Sequence, residues 1–190
     1  IYPDLRSYGI RSISACLKQE GHDVDLIFLL REFTDKYAEK TMNDLVKLTK
    51  ESDLVGITLM SNFWDNAIQL TQKLKQHYDI PIMWGGTHPT VRPEECLEYA
   101  DMVCISESEQ PLVELTRKMT KGENYFDIKG MGFKTNGKII NNGHGPLPGS
   151  KDSMFKHLDE IPHQDYDWNN HYILKGEDVT KMDMETLNDK

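Results

Sequence analysis

The sequence predicts an open α/β fold: a doubly wound parallel sheet of the flavodoxin-like (Rossmann-like) kind, followed by a C-terminal β-hairpin and an extended linker. Three observations carry this expectation. Strand-sized apolar runs alternate with helix-period segments as far as Gly122. The connections between them are short, which favours right-handed βαβ units and a parallel sheet. The run Leu54-Val55-Gly56-Ile57-Thr58-Leu59-Met60 is almost continuously apolar, as suits a strand buried on both faces of such a sheet.

The elements follow in order. Ile10, Ile13, Ser14, Cys16 and Leu17 form a stripe at helical spacing, ended by Gly21, a residue suited to a left-handed C-cap. Val24 to Leu30 reads as a strand. Thr41 is expected to cap a helix carrying Leu45, Val46 and Leu48. After the strand around Ile57, Ser61 or Asn62 is expected to cap a helix running to His77, with Ala67, Ile68, Leu70 and Leu74 inward. Ile80 to Trp84 is the next strand, broken by Gly85-Gly86. Pro93 to Tyr99 suggests a short helix with proline in its first turn. Met102 to Ile105 is a strand, and Gln110 to Lys121 a helix stopped by Gly122. Ile128–Thr135 and Lys138–Asn142 flank Asn136-Gly137, the dipeptide of a type I′ hairpin turn. These readings divide the chain into an α/β domain over 1–125, a hairpin extension over 126–142 and a linker or strap over 143–190. The stretch from Gly176 to Lys190 is expected to be a weak helix or disordered. No strand precedes the first helix, although a doubly wound sheet ordinarily opens with its central strand. The sequence is therefore expected to be a piece of a longer protein.

Composition narrows the function. The formal net charge of -9 over 190 residues argues against a nucleic-acid partner and an anionic membrane surface. No apolar run approaches the ~20 residues that span a bilayer. No basic-then-apolar leader is present. Three cysteines, Cys16, Cys96 and Cys104, include no C-x-x-C pair and read as reduced, mostly buried thiols of a cytoplasmic protein.

In open α/β sheets ligands sit beyond the carboxyl ends of the strands, so the loops there hold the candidate site. They are Asp4-Leu5-Arg6-Ser7-Tyr8-Gly9, Thr58-Leu59-Met60-Ser61-Asn62 and Trp84-Gly85-Gly86-Thr87-His88-Pro89-Thr90. Together they resemble the cobalamin-binding fold of methionine synthases and mutases, which carries D-x-H-x-x-G, then S-x-(L/V), then G-G. Asp4, Arg6 and Gly9 fall in the first register, Thr58 and Met60 in the second, and Gly85-Gly86 in the third. A second resemblance is sharper. Gly85 to Glu95, Tyr99 to Val103, Leu158 to Pro162 and Asp165 to Asp167 are similar to the cobalamin-binding domain of cobalamin-dependent radical S-adenosylmethionine proteins. That likeness runs from about residue 5 to about residue 168.

The resemblance implies a cofactor site made of Thr58, Ser61, Gly85, Gly86 and Thr87 around the nucleotide tail, with Glu107 and Glu109 as secondary candidates and no catalytic residue or metal ligand in this chain. A hydroxyl such as Thr58 would hydrogen-bond the buried tail base, which is otherwise costly to desolvate. Glycines would let the tail approach the backbone. Arg6 stands where the cobalt-binding histidine would be. An arginine stays protonated and cannot ligate cobalt, which implies base-off, histidine-off cobalamin. Two departures stand out. Ser106-Glu107-Ser108-Glu109 replaces the family's G-E-G-E, and its three-cysteine iron–sulfur motif is absent. A four-iron cluster, S-adenosylmethionine and the radical S-adenosylmethionine barrel would then belong to a domain downstream of Lys190. The implied role is to position the corrin for methyl transfer or radical chemistry in a parent enzyme. This chain alone would not be catalytic.

Other readings stay open at this point. Gly85-Gly86 also suits a plain tight turn. His88 suits a structural or loop-capping role better than ligation, with no second ligand at useful spacing. Trp64 and Trp84 suit core packing as well as the flank of a corrin. The domain could be a scaffold or interaction module that has lost cobalamin. It could also hold a flavin or another nucleotide at the same edge, although no G-x-G-x-x-G is present.

Overall fold

A computed structural model describes residues 1–30 and 36–183. Its first elements are helix α1 (Tyr8–Gln19), strand β1 (Leu26–Phe28), helix α2 (Glu39–Thr49), strand β2 (Val55–Thr58) and helix α3 (Trp64–Lys75). Strand β3 (Ile82–Gly85), the short helices α4 (Thr87–Val91) and α5 (Pro93–Cys96), strand β4 (Met102–Cys104) and helix α6 (Glu109–Lys121) follow. Two hairpins close the chain: β5 (Met131–Thr135) with β6 (Lys138–Asn141), and β7 (His171–Lys175) with β8 (Asp178–Lys181).

The strands pair in two groups, β1-β7-β8 and β2-β3-β4-β5-β6. β2, β3 and β4 are parallel, as are β1 and β7, and both hairpins are antiparallel. Ile1 and Tyr2 lie between the groups and join them. The Tyr2 N–H donates to the Ile27 carbonyl, and the Leu29 N–H donates to Tyr2. On the other side the Ile1 amine donates to the Gly56 carbonyl at 2.7 Å, and the Thr58 N–H donates to Ile1. The opening residues thus occupy the central strand position. Numbered with them as the first strand, the parallel order is 2-1-3-4-5, the flavodoxin-like order with its switch point between the first and third strands.

Helices cover both faces, as that topology requires. α2 and α3 pack on one face over a core that includes Leu29, Leu45, Ile57, Leu59, Leu70 and Trp84. α1 and α6 pack on the other over Cys16, Met83, Cys104, Leu115 and Phe133. Strands β1, β3 and β4 are buried at every residue because helices lie on either side, while β2 alternates and leaves Gly56 and Thr58 half-buried. The predicted turn at Asn136-Gly137 is present, with φ of 49° and 72° at its two residues, the left-handed pair that a type I′ turn demands. Gly122 caps α6 at φ 66°.

Several expectations need correction. Thr41 is not a cap: α2 starts at Glu39 behind Ala38, and the buried Thr41 hydroxyl donates to the Glu177 carbonyl at 2.8 Å. Ser61 makes no helix cap either. Residues 61–63 form a single 3-10 turn before α3, and the serine hydroxyl is engaged elsewhere. The short helix expected over Pro93 to Tyr99 is present as α5, with proline in its first turn, but it ends at Cys96, and the separate helix α4 before it was not expected. Within the stretch expected as a strap over 143–190, residues 143–170 hold two single 3-10 turns, Leu158–Glu160 and Trp168–Asn170, and β7 and β8 then extend the sheet beyond β1. Gly176, at φ 62°, occupies the first position of their two-residue turn, where glycine is favoured. The rest of the expected C-terminal helix or disorder, residues 184–190, lies outside the described residues.

Candidate cofactor site

At the carboxyl edge, β2 and β3 run in register with Thr58 opposite Gly85. Beyond them the loops after β2 and β3 pack directly on each other. The Leu59 N–H donates to the Gly85 carbonyl at 2.9 Å, and the His88 N–H donates to the Leu59 carbonyl at 3.3 Å. Gly86 sits in the crossing at φ 98° and ψ -165°, a region essentially restricted to glycine. A Cβ there would lie 2.8 Å from the Leu59 carbonyl oxygen and 3.0 Å from the Thr58 methyl group. Gly86 is therefore required by the chain's own fold. Gly85 differs: a Cβ would meet only Cys104 Cβ at 3.9 Å and Ser108 Oγ at 4.0 Å. It leaves ordinary van der Waals space between the ends of β3 and β4.

The loop after β4 is tied in by Thr90. The Thr90 hydroxyl donates to the Gly86 carbonyl, and the Ser106 N–H donates to Thr90 Oγ1, both at 2.9 Å. Ser106 keeps a left-handed backbone, φ 75°, at the position where the resembled family carries glycine. The loop shape thus survives the glycine-to-serine replacement at the cost of a strained residue. Thr90 and Ser108 entered the sequence reading only as members of their loops, because a lone hydroxyl carries no pattern that marks it as a site residue.

The expected residues do not form one cluster. Thr58, Gly85 and Gly86 are together. The half-buried Thr58 hydroxyl has no hydrogen-bond partner among the described residues, and the exposed Thr87 hydroxyl has none either. Ser61 is drawn to His88, with Oγ and Nδ1 2.8 Å apart. His88 in turn lies against the Trp64 ring, centroids 4.7 Å apart. Trp84 is wholly buried, its indole N–H donating to Thr71 Oγ1 at 2.9 Å. It is a core residue. Glu109 is buried and accepts from the Ser12 hydroxyl at 2.9 Å, so it faces α1. Glu107 is exposed, and its carboxyl is pushed above the ordinary range by desolvation and then by Glu109. Burial pushes the thiol of Cys16 up to about 11 and those of Cys96 and Cys104 up to about 12. All three are free and buried.

The first loop lies at the switch point. The Arg6 N–H donates to Asp4 Oδ1 at 2.9 Å. The buried Arg11 of α1 holds the Leu5 carbonyl through Nη2 at 3.2 Å and Nε at 3.4 Å. Two clefts lined around Lys75 and Gln76 lie on the α3 flank, away from these loops. Among the described residues no group of three or more His, Cys, Asp or Glu side chains stands ready for a metal, and no helix is long and apolar enough to cross a membrane.

This fold and edge define a ligand-binding α/β domain, and sequence comparison gives its family. The chain matches the B12 binding domain over residues 1–116 and belongs to that family. It is 31% identical over 160 residues to an uncharacterized methyltransferase of Pyrococcus horikoshii, covering 80% of this chain and 32% of that protein. Among solved structures it is similar to TsrM, a radical S-adenosylmethionine methyltransferase from Kitasatospora setae, bound to tryptophan and an S-adenosylmethionine analogue. The TM-score is 0.63 at 19% identity, over 74% of this chain and 28% of TsrM. It is also similar to OxsB, a cobalamin-dependent S-adenosylmethionine radical enzyme bound to aqua-cobalamin and S-adenosylmethionine. There the TM-score is 0.60 at 17% identity, over 77% of this chain and 21% of OxsB. At these identities the likeness to solved structures is one of fold. The chain spans about a third or less of the length of these proteins.

Proposed function

We propose that this domain holds cobalamin by its nucleotide tail at the carboxyl edge, base-off and without a histidine ligand, and positions the corrin for methyl transfer or radical chemistry. The barrel of a radical S-adenosylmethionine enzyme would be its partner. The observation that carries the tail site is the pairing of Thr58 with Gly85: a free, half-buried hydroxyl beside a strand end that bears no side chain. The residues fit the group. Thr58 would hydrogen-bond the buried base, Gly85 would leave the space beside Ser108 for the tail, and Thr87 would meet its polar end. Gly86 acts indirectly, by keeping the two loops in contact. Ser61 and His88 wall the site. Arg6 is the nearest counterpart of the missing histidine and cannot ligate cobalt, so this loop would supply no cobalt ligand. Cobalamin, when bound, supplies a cobalt centre able to carry a methyl group, and the protein supplies binding and orientation.

Calorimetric titration with hydroxocobalamin, comparing the chain with Thr58→Val and Gly85→Leu, tests this reading. Loss of one neutral hydrogen bond, worth about 0.5–1.5 kcal/mol, should weaken binding roughly 2- to 12-fold in Thr58→Val. Gly85→Leu should block the tail. Equal affinity in all three proteins, each shown to be folded, would place cobalamin elsewhere.

A further inference from the structure

The strap packs on α1 through Phe155 and Ile161 beside Cys16 and Leu17, and at Asp165 it meets the helix in a buried polar cluster. Asp165 Oδ2 accepts from Ser14 Oγ at 2.6 Å and from Lys18 Nζ at 2.8 Å, and Oδ1 accepts from the Asp167 N–H at 3.0 Å. The Asp165 N–H donates to the Arg11 carbonyl at 3.1 Å. Arg11 Nη1 donates to the Asp165 carbonyl at 2.8 Å. The same guanidinium holds the Leu5 carbonyl and lies between the rings of Phe28 and Tyr166, at 4.8 Å and 4.7 Å from their centroids. His171, the first residue of β7, is 1% exposed and places Nε2 3.4 Å from Asp165 Oδ2.

Arg11 therefore has two clients far apart in sequence: the Asp4–Ser7 loop at the switch point and the strap that leads into β7. A planar guanidinium can hold both carbonyls at once while stacked, and removal of either client leaves a buried charge short of partners. From this geometry we infer that Arg11 is a positioning residue, and that with Asp165 it forms a latch through which strap docking sets the Asp4–Ser7 loop. The strap then reports on the cofactor edge, and the edge on the strap, because coupling between sites is reciprocal. The coupling stands without a ligand; its consequence for the cofactor rests on the cobalamin reading.

Native-state hydrogen exchange of the whole chain through a series of low urea concentrations tests the latch without any variant. Peptides covering residues 4–9 and 163–182 should open as one unit, with matching free energies and urea slopes, while β2–β4 stay closed. Separate opening of the loop and the strap would overturn the proposal. Two variants then extend it. Asp165→Asn and Arg11→Lys should speed exchange in both segments together. A variant that also deprotects β2–β4 is globally destabilised, and the urea series on the unmodified chain then decides. Hydroxocobalamin should slow exchange in 163–182 of the unmodified chain, and Asp165→Asn should abolish that remote protection. Coupled opening with no effect of cobalamin would retain the latch and count against the cobalamin reading. Protection of residues 4–9 by cobalamin with none over 163–182 would overturn the latch and leave that reading intact.

Discussion

Replacing Gly86 by alanine is the sharpest perturbation of the site's architecture. The backbone at φ 98° and ψ -165° costs a residue with a side chain about 1–3 kcal/mol. The new Cβ would also stand 2.8 Å from a backbone carbonyl oxygen, that of Leu59, and 3.2 Å from the Leu59 nitrogen. Neither atom can rotate away as a side chain would, so the two loops must separate, at about 1–3 kcal/mol more. The expected loss is about 2–6 kcal/mol. In urea, with a slope of about 2–3 kcal/mol/M, the midpoint should fall by roughly 0.7–3 M. Gly85→Ala is the internal control. Its Cβ meets nothing closer than 3.9 Å, and its stability should change by under about 1 kcal/mol. Equilibrium unfolding followed by far-UV circular dichroism reads both. Equal midpoints for the two variants would refute the assignment of Gly86 to the fold and return it to the role of a ligand-facing glycine.

Other consequences follow from the same packing. Thr71→Val removes the acceptor of the buried Trp84 indole N–H and should cost about 1–3 kcal/mol by urea unfolding, with a shifted indole fluorescence as a second readout. The three buried thiols, raised to about 11 or 12, should be almost wholly protonated at pH 8 and react slowly with a disulfide reagent in the folded chain. Unfolding should release all three at once. Stability should fall on acidification. Burial holds His171 below its ordinary 6.5, with Arg11 and Lys18 adding to this and Asp165 opposing it. At Asp165 burial acts against the carboxylate, but the bonds from Lys18, Ser14 and the Asp167 N–H outweigh it and hold it low. Both groups thus bind protons more tightly when unfolded. Their stabilisation is present above the unfolded values and is lost as pH falls, first below about 6.5 through His171 and then below about 3.8 through Asp165. Thermal unfolding between pH 8 and pH 3 checks the order, and a melting temperature that rises on acidification would contradict it.

Much of the fold was legible in the sequence because its parallel strands are buried on both faces. Leu54–Met60 and Met102–Ile105 need no pairing partner to be recognised, and Asn136-Gly137 announces its own turn. What escaped depends on distant pairing. Ile1-Tyr2 is too short to read as a strand and becomes one only between Ile27 and Gly56. β7, His171–Lys175, is short, and its central place beside β1 is set by a contact far away in sequence. Gly176 between Leu174 and Val179 was the available signal for its hairpin.

The candidate site came from the resemblance: the family's motif picked out Thr58 and Gly85-Gly86 but could not say that the two glycines meet different surroundings. That distinction rests on where Leu59 turns its carbonyl. Glu109 was named with Glu107 as a secondary candidate, and only the α1–α6 contact shows it facing Ser12. Arg11, which the helix stripe would leave outside the core, is 4% exposed because a strap returning from residue 165 covers it.

Cobalamin binding at this edge is tested by a visible-spectrum titration of the purified chain with hydroxocobalamin, with flavin mononucleotide as the competing ligand. Saturable binding of one cobalamin per chain is expected, with the spectral change of the base-off form and no displacement by flavin mononucleotide. An unchanged cobalamin spectrum in the presence of a chain shown to be folded would contradict this reading.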